Sequence, residues 1–222
     1  MHFLLSFLGL LLLNTHAQAQ SGLCPPYTEG VRLTFDTKII PPKYNHQLSI
    51  ADIRQLYMGP GRNVGRAHSN AIGITYAEIA LSLSASTRSI PRERGGYCVY
   101  LDEVQADFGF EKFEVYIGSE YTVGTCEYRT ILDHENEHVA INNAVVKQYG
   151  PRIRQSLEQQ LSVMPPIFAP SVNTGAHRAI QELQQRAEPV VDTFKREQRR
   201  RNASIDTQAA YGLLQELCDG WG

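Results

Sequence analysis

The stretch Leu132-Asp133-His134-Glu135-Asn136-Glu137-His138-Val139 contains a complete H-E-x-x-H. Apolar and ligand-type residues around it recur with helical period: Leu132, Glu135, Val139, Asn142, Val146 and Tyr149 fall on neighbouring faces from Glu127 onward. Residues four apart on a helix share a face, so both imidazoles can reach a single ion. Glu135 then flanks the place where a water would be activated, near enough to take its proton. That combination is the working core of a zinc hydrolase. The same five residues also satisfy the reversed order H-x-x-E-H, with Glu137 as the candidate base.

Upstream of this helix the chain reads as β. Val31 to Thr37 alternates with period two, and Pro41-Pro42 ends it. Ser49 offers an N-cap with Asp52 three residues on, opening a short helix through Tyr57 that Gly59-Pro60-Gly61 stops. A loop follows to about Gly73. Ile74 to Ser84, Gly96 to Phe110 and Phe113 to Tyr121 are three further strands, and the Phe108-Gly109-Phe110-Glu111-Lys112 bend reads as a hairpin between the last two. Sequential strands with short links predict an antiparallel β-meander, half buried against helices.

Downstream the pattern stays helical. Gly150-Pro151 reads as a break or kink, after which Ile153, Leu157 and Leu161 continue as a second stretch. Pro165-Pro166 and Pro170 form a linker. A last long helix carries Ala176, Ile180, Leu183, Ala187, Val190 and Phe194, with Pro189 expected to bend it. The segment from Asn202 to Trp221 closes the chain with a short helix through Leu217. Strands first and helices after predict one α+β domain over residues 20–222: an antiparallel β-meander, a zincin-like HExxH helix and further C-terminal helices.

Residues Phe3 to Leu13 are almost wholly apolar, too short to span a bilayer and suited to a signal-peptide core, with Ala17-Gln18-Ala19 as a cleavage site. A signal peptide over residues 1–19 predicts a periplasmic or secreted protein with no transmembrane segment after cleavage. Cys24, Cys98, Cys126 and Cys218 agree with export: an even number, with no C-x-x-C pair, in a compartment where disulfides form. Cys98 to Cys126, bracketing the expected hairpin, and Cys24 to Cys218, joining the ends, are the expected pairs. The net charge of −2 gives no electrostatic case for nucleic acid. The basic cluster Lys195-Arg196 with Arg199-Arg200-Arg201 reads as a solvated helix end.

A catalytic zinc takes three protein ligands and leaves one position open. The third ligand is the open question. The metzincin extension fails, with Ile141 at its glycine position and Ala144 at its last histidine. Glu158 lies about 30 Å along a continuous helix from His138, and only a reversal at Gly150-Pro151 would return it. His177 reads better as a cap or surface residue. Asp206 follows the last long helix, either as a ligand or as the N-cap of the next segment. Tyr211 is an auxiliary ligand, an oxyanion donor or a core residue.

The arrangement Cys126-x-Tyr128-x-x-Ile131-Leu132-x-His134-Glu135-x-x-His138 resembles the predicted secreted zinc-dependent proteases of bacteria, over roughly residues 75 to 215. That family carries a C-terminal signature close to Tyr-Asp-x-x-Thr-x-His-Gly. Here Ile205-Asp206-Thr207-Gln208-Ala209-Ala210-Tyr211-Gly212 stands in its register. Asp206 and Gly212 match, while Ala209 replaces the threonine and Tyr211 the histidine. The resemblance implies Asp206 as third ligand, with Tyr211 where relatives place an imidazole.

These readings converge on an exported zinc-dependent metallopeptidase. His134 and His138 bind Zn2+ with Asp206 or Tyr211, Glu135 is the base for a zinc-activated water, and the substrate is a peptide or protein, peptidoglycan peptides included. The competing reading is a non-catalytic envelope protein on the same scaffold that binds metal or a partner. In a third, HENEH is only a charged helix face and binds no metal.

Overall fold

The computed structural model describes residues 24–27, 29–58, 72–219 and 221. The expected signal peptide and the part of the expected loop covering residues 59–71 lie outside the described residues. The first strand forms as the alternation predicts, as β1 (Arg32–Lys38), followed by a short β2 (Lys43–Asn45). Helix α1 (Ile50–Met58) opens on the expected Ser49–Asp52 exchange, with the Asp52 amide donating to Ser49 Oγ at 3.1 Å. Two long strands follow, β3 (Gly73–Pro91) and β4 (Tyr97–Ile117), then α2 (Cys126–Ser162). The chain ends with β5 (Ile167–Ala169), α3 (Val172–Ile205) and α4 (Gln208–Glu216).

The antiparallel meander is not formed. The sheet has five strands, with β1 and β2 both running parallel to β4, while β3 and β5 are antiparallel to it. The fold is therefore a mixed α/β arrangement. Strand β4 lies at its centre: β3 pairs along one edge, and β5, β1 and β2 pair with successive parts of the other. Arg32 faces Glu103 and Lys43 faces Glu114, the same sequence offset, so β1 and β2 are one path along β4. Pro41 and Pro42 interrupt its ladder, because neither has an amide proton to donate.

The expected hairpin at Phe108–Lys112 is also corrected, because β4 runs straight through it. The chain reverses earlier, at Arg92–Gly96, where the Arg92 amide donates to the Gly96 carbonyl at 3.0 Å. What looked like a turn signal is a β-bulge. Pairing to β3 shifts between Glu78 and Ile79, leaving Glu111 as an extra residue on β4, and shifts again between Ser86 and Thr87, leaving Asp102 extra. Each extra residue flips which parity faces the core. Val99 and Leu101 point inward before the first bulge, Val104, Ala106 and Phe108 between the two, and Phe113 and Val115 after the second. Gly109, at φ +148°, serves the close approach of β1: a Cβ there would meet the Lys38 carbonyl oxygen at 2.1 Å.

Helices α2 and α3 cover one face of this ribbon. Val145, Val146, Tyr149, Ile153 and Leu157 of α2 pack with Leu183, Ala187 and Phe194 of α3 against Val104, Ala106 and Phe108. Of the break or kink expected at Gly150-Pro151, the break does not occur. Pro151 is accommodated inside a helix of 37 residues. Gly150 is a contact point instead: a Cβ there would sit 2.6 Å from Thr37 Oγ1, so the missing side chain lets β1 approach the helix.

Straightening β4 also changes the disulfides. Cys98 and Ile117 are separated by about 60 Å of extended chain, so Cys98 is far from the start of α2. The bridges are Cys24–Cys98 and Cys126–Cys218, in place of the expected Cys98–Cys126 and Cys24–Cys218. One fixes the segment before β1 to one end of the sheet. The other ties the first residue of α2 to the segment after α4. No helix among the described residues is long and apolar enough to cross a membrane, and two disulfides suit an oxidising, exported environment.

Candidate metal centre

Among the described residues, the polar and charged ones buried over the whole residue are Thr130, His134, Glu135, His138 and Asn142, all on α2. Their spacing puts them on the face turned towards the end of α3. Burying polar groups is costly unless they are partnered, so this concentration calls for an accounting of partners. Thr125 caps the helix start, its side chain accepting from the Tyr128 amide, which sets the turn that brings His134 round to the core.

The two histidines and Asp206 converge. His134 Nε2 lies 3.1 Å and His138 Nε2 3.0 Å from the same Asp206 Oδ1, and the three ligand atoms are all within 4.8 Å of one another. Two ligands bound about 2.0–2.1 Å from a tetrahedral ion sit roughly 3.3 Å apart, close to what is seen. The imidazoles meet edge to face, with centroids 4.9 Å apart. All three side chains are at most 10% exposed. This group can hold a metal ion.

Asp206 is free to aim at the histidines because it is not the cap of the next helix. Thr207 takes that role, its side chain accepting from the Ala210 amide at 3.1 Å. Asp206 instead ends α3, in a non-helical conformation, with its carboxylate turned to α2. Burial alone would raise its pKa, but hydrogen bonds from both imidazoles and from the Tyr211 hydroxyl overcome that and hold the carboxyl well below its usual range.

His138 is oriented from behind. Its Nδ1 lies 2.7 Å from Asn202 Oδ1, while the Asn202 amide nitrogen donates to the Gln198 carbonyl at 2.8 Å. That donation settles which way the amide faces, so His138 Nδ1–H donates to Asn202, while Nε2 faces the centre, donating to Asp206 when protonated and offering a metal its lone pair when not. Asn142 continues the chain of contacts. Its Nδ2 donates to the His138 carbonyl at 2.9 Å and its Oδ1 accepts from Gln198 at 2.8 Å. Burial lowers the pKa of His138, yet Asp206, Glu135 and Asn202 together outweigh it and leave the pKa raised.

Glu135 is 4% exposed and sits beside the pair. Thr75, at the start of β3, donates its hydroxyl proton to Glu135 Oε2 at 2.8 Å. Burial raises the pKa of Glu135, against the lowering influence of His138, Thr75 and His134. A carboxylate whose proton affinity is raised, held next to paired imidazoles, is suited to accept and return a proton. Glu137, the base of the inverted order, is exposed. The Tyr211 hydroxyl donates to Asp206 Oδ1 at 2.9 Å, and burial followed by the Asp206 charge pushes its pKa up, so it remains a neutral phenol.

His134, Glu135, Asp206 and Tyr211 line a cleft of about 810 Å³. The sequence candidates His134, Glu135, His138, Asp206 and Tyr211 are thus brought together. Glu158 is not: it pairs with Arg154 at 2.9 Å on the distal part of α2. His177 is exposed near the start of α3, about 40 Å along that helix from Asp206. Sequence reasoning missed Asn202 and Thr75. Asn202 lies four residues before Asp206 on one helix face, a spacing that could have flagged it. Thr75 carried no signal. No family model, no curated protein and no solved structure matches the chain.

Proposed function

We propose that the protein is an exported zinc-dependent metallopeptidase, acting in the periplasm or as a secreted enzyme. The observation that carries this reading is the convergence of His134, His138 and Asp206 beside Glu135, at the wall of an open cleft. Two imidazoles and one carboxylate are a donor set of catalytic zinc, with one side left free for water or substrate. The cleft volume is within the range of sites that take small molecules and peptide segments. The resemblance to the predicted secreted zinc-dependent proteases of bacteria supports the same activity, with Tyr211 at the position of their histidine.

When bound, the metal supplies Lewis acidity that polarises a peptide carbonyl and the attacking water. Glu135 takes the proton of that water and returns it to the leaving amine. Thr75 holds the Glu135 carboxylate in place by donating to Oε2. Asn202 keeps His138 in the tautomer that presents Nε2. Tyr211 spends its one hydroxyl proton on Asp206, so from the cleft side it steadies that carboxylate.

One observation favours a second reading, a non-catalytic metal- or partner-binding envelope protein. Tyr211 donates to the same Asp206 oxygen that both histidines face, so the cluster is closed by its own hydrogen bonds. Glu135→Gln separates the two. The variant should keep its metal and lose about 10²–10⁴-fold in peptide hydrolysis, the usual contribution of a positioned base. A wild type that binds metal and cleaves nothing across a broad peptide library and peptidoglycan fragments would favour the second reading.

A further inference from the structure

The cleft does not end at the ligands. One turn back along α2 from His134 and Glu135, Ile131 and Thr130 continue its floor, and Ile72 flanks it just before β3. The far wall comes from the C-terminal segment, where Leu214 lies on α4 one turn beyond Tyr211 and Trp221 follows the Cys218 bridge. Tyr121 meets Trp221 edge to face at 6.0 Å. Among the described residues that line the cleft, the only charged ones are Glu135 and Asp206, and both belong to the metal centre.

We infer that this extension is a side-chain pocket for a large apolar, uncharged residue of the peptide next to the bond that is cut, with Leu214 and Trp221 setting the preference. The inference rests on the metallopeptidase reading and names its substrate class. A charged side chain entering here would lose its hydration and find no countercharge, whereas an aromatic or branched aliphatic one would exchange water for Ile131, Leu214 and the Tyr121–Trp221 pair. Size points the same way, since a methyl group would leave most of the extension filled with water.

The test uses the full disulfide-bonded, zinc-loaded protein and hydroxamates carrying benzyl, isobutyl, methyl or carboxymethyl groups, with acetohydroxamate as a probe of the metal alone. Calorimetry should show benzyl and isobutyl binding at least tenfold tighter than methyl, and carboxymethyl weakest. Trp221→Ala and Leu214→Ala should each shrink the benzyl-to-methyl ratio severalfold and leave acetohydroxamate binding and zinc content unchanged. Equal affinity for all four side chains on a site that binds acetohydroxamate would overturn the pocket while leaving the metal centre standing. No binding even of acetohydroxamate to the zinc-loaded protein would show that the metal offers no open position, removing the metallopeptidase reading and the pocket with it. The wild-type ratio is decisive even where a variant fails to fold.

Discussion

The two walls of the cleft are built on opposite principles. On one side, α2 presents His134 and Glu135 from a helix whose distal part is packed by Val145, Val146, Ile153 and Leu157 against sheet and α3. On the other, α4 has no buried residue, and Leu213 is 65% exposed. That second wall is held by particular links: the Thr207 cap, the Tyr211–Asp206 hydrogen bond and the Cys126–Cys218 bridge. Asp206 lies at the junction between them. A metal site needs ligands fixed to within a fraction of an ångström, which packing of the hydrophobic core provides.

This contrast is broken most severely by removing the bridge. In the chain-entropy account, a disulfide closing 92 residues is worth about 4–5 kcal/mol. Cys126→Ser with Cys218→Ser should lower the unfolding midpoint measurably and free α4, yet keep metal at neutral pH, because all three ligands remain on α2 and α3. Proteolysis should then cut first between Thr207 and Trp221. A variant that loses metal along with the bridge would show that the two walls are one cooperative unit.

Asn202→Ala sharpens the comparison from the other side. It deletes the partner of His138 Nδ1 without touching the cleft wall. Loss of such a supporting contact costs about 10–100-fold in metal affinity. Titration against a competing chelator checks this, and unchanged affinity would mean that the tautomer is set elsewhere.

The smallest effect concerns the link between α3 and α2. Glu197 pairs with Arg200 and Arg201, and Arg201 donates to Gln148 of α2 at 2.6 Å. The Arg200 hydrogen bond, then that of Arg201, brings the Glu197 pKa down from 4.5 to about 2. A depressed carboxylate stabilises the fold above its unfolded pKa, and that contribution disappears as pH falls from 4.5 towards 2. Glu197→Gln should melt slightly below wild type at neutral pH and match it near pH 2. The difference stays small because the pairs are solvated.

The parts of this molecule that were legible in sequence are those in which chemistry and spacing coincide within one helix. His134, Glu135 and His138 needed only the four-residue repeat, and Asp206 needed a break between two helices. The sheet was less legible because its register is set across the chain. Glu111 and Asp102 each insert one residue into β4 and reverse its alternation, so one strand of 21 residues reads locally as two strands joined at a bend. The parallel pairing of β1 depends on partners some 70 residues away, and the disulfides follow from it. Gly150-Pro151 misled for a related reason: that glycine answers to Thr37 of a distant strand, which no local pattern records.

The central claim is that His134, His138 and Asp206 form one metal site on a prebuilt wall. Its most direct test is metal analysis of the folded, disulfide-bonded chain purified without chelator, alongside His138→Ala. About one zinc per chain in the wild type, and little in the variant, is the predicted result. Equal metal content in the two, or none in a folded wild type given zinc, would contradict it.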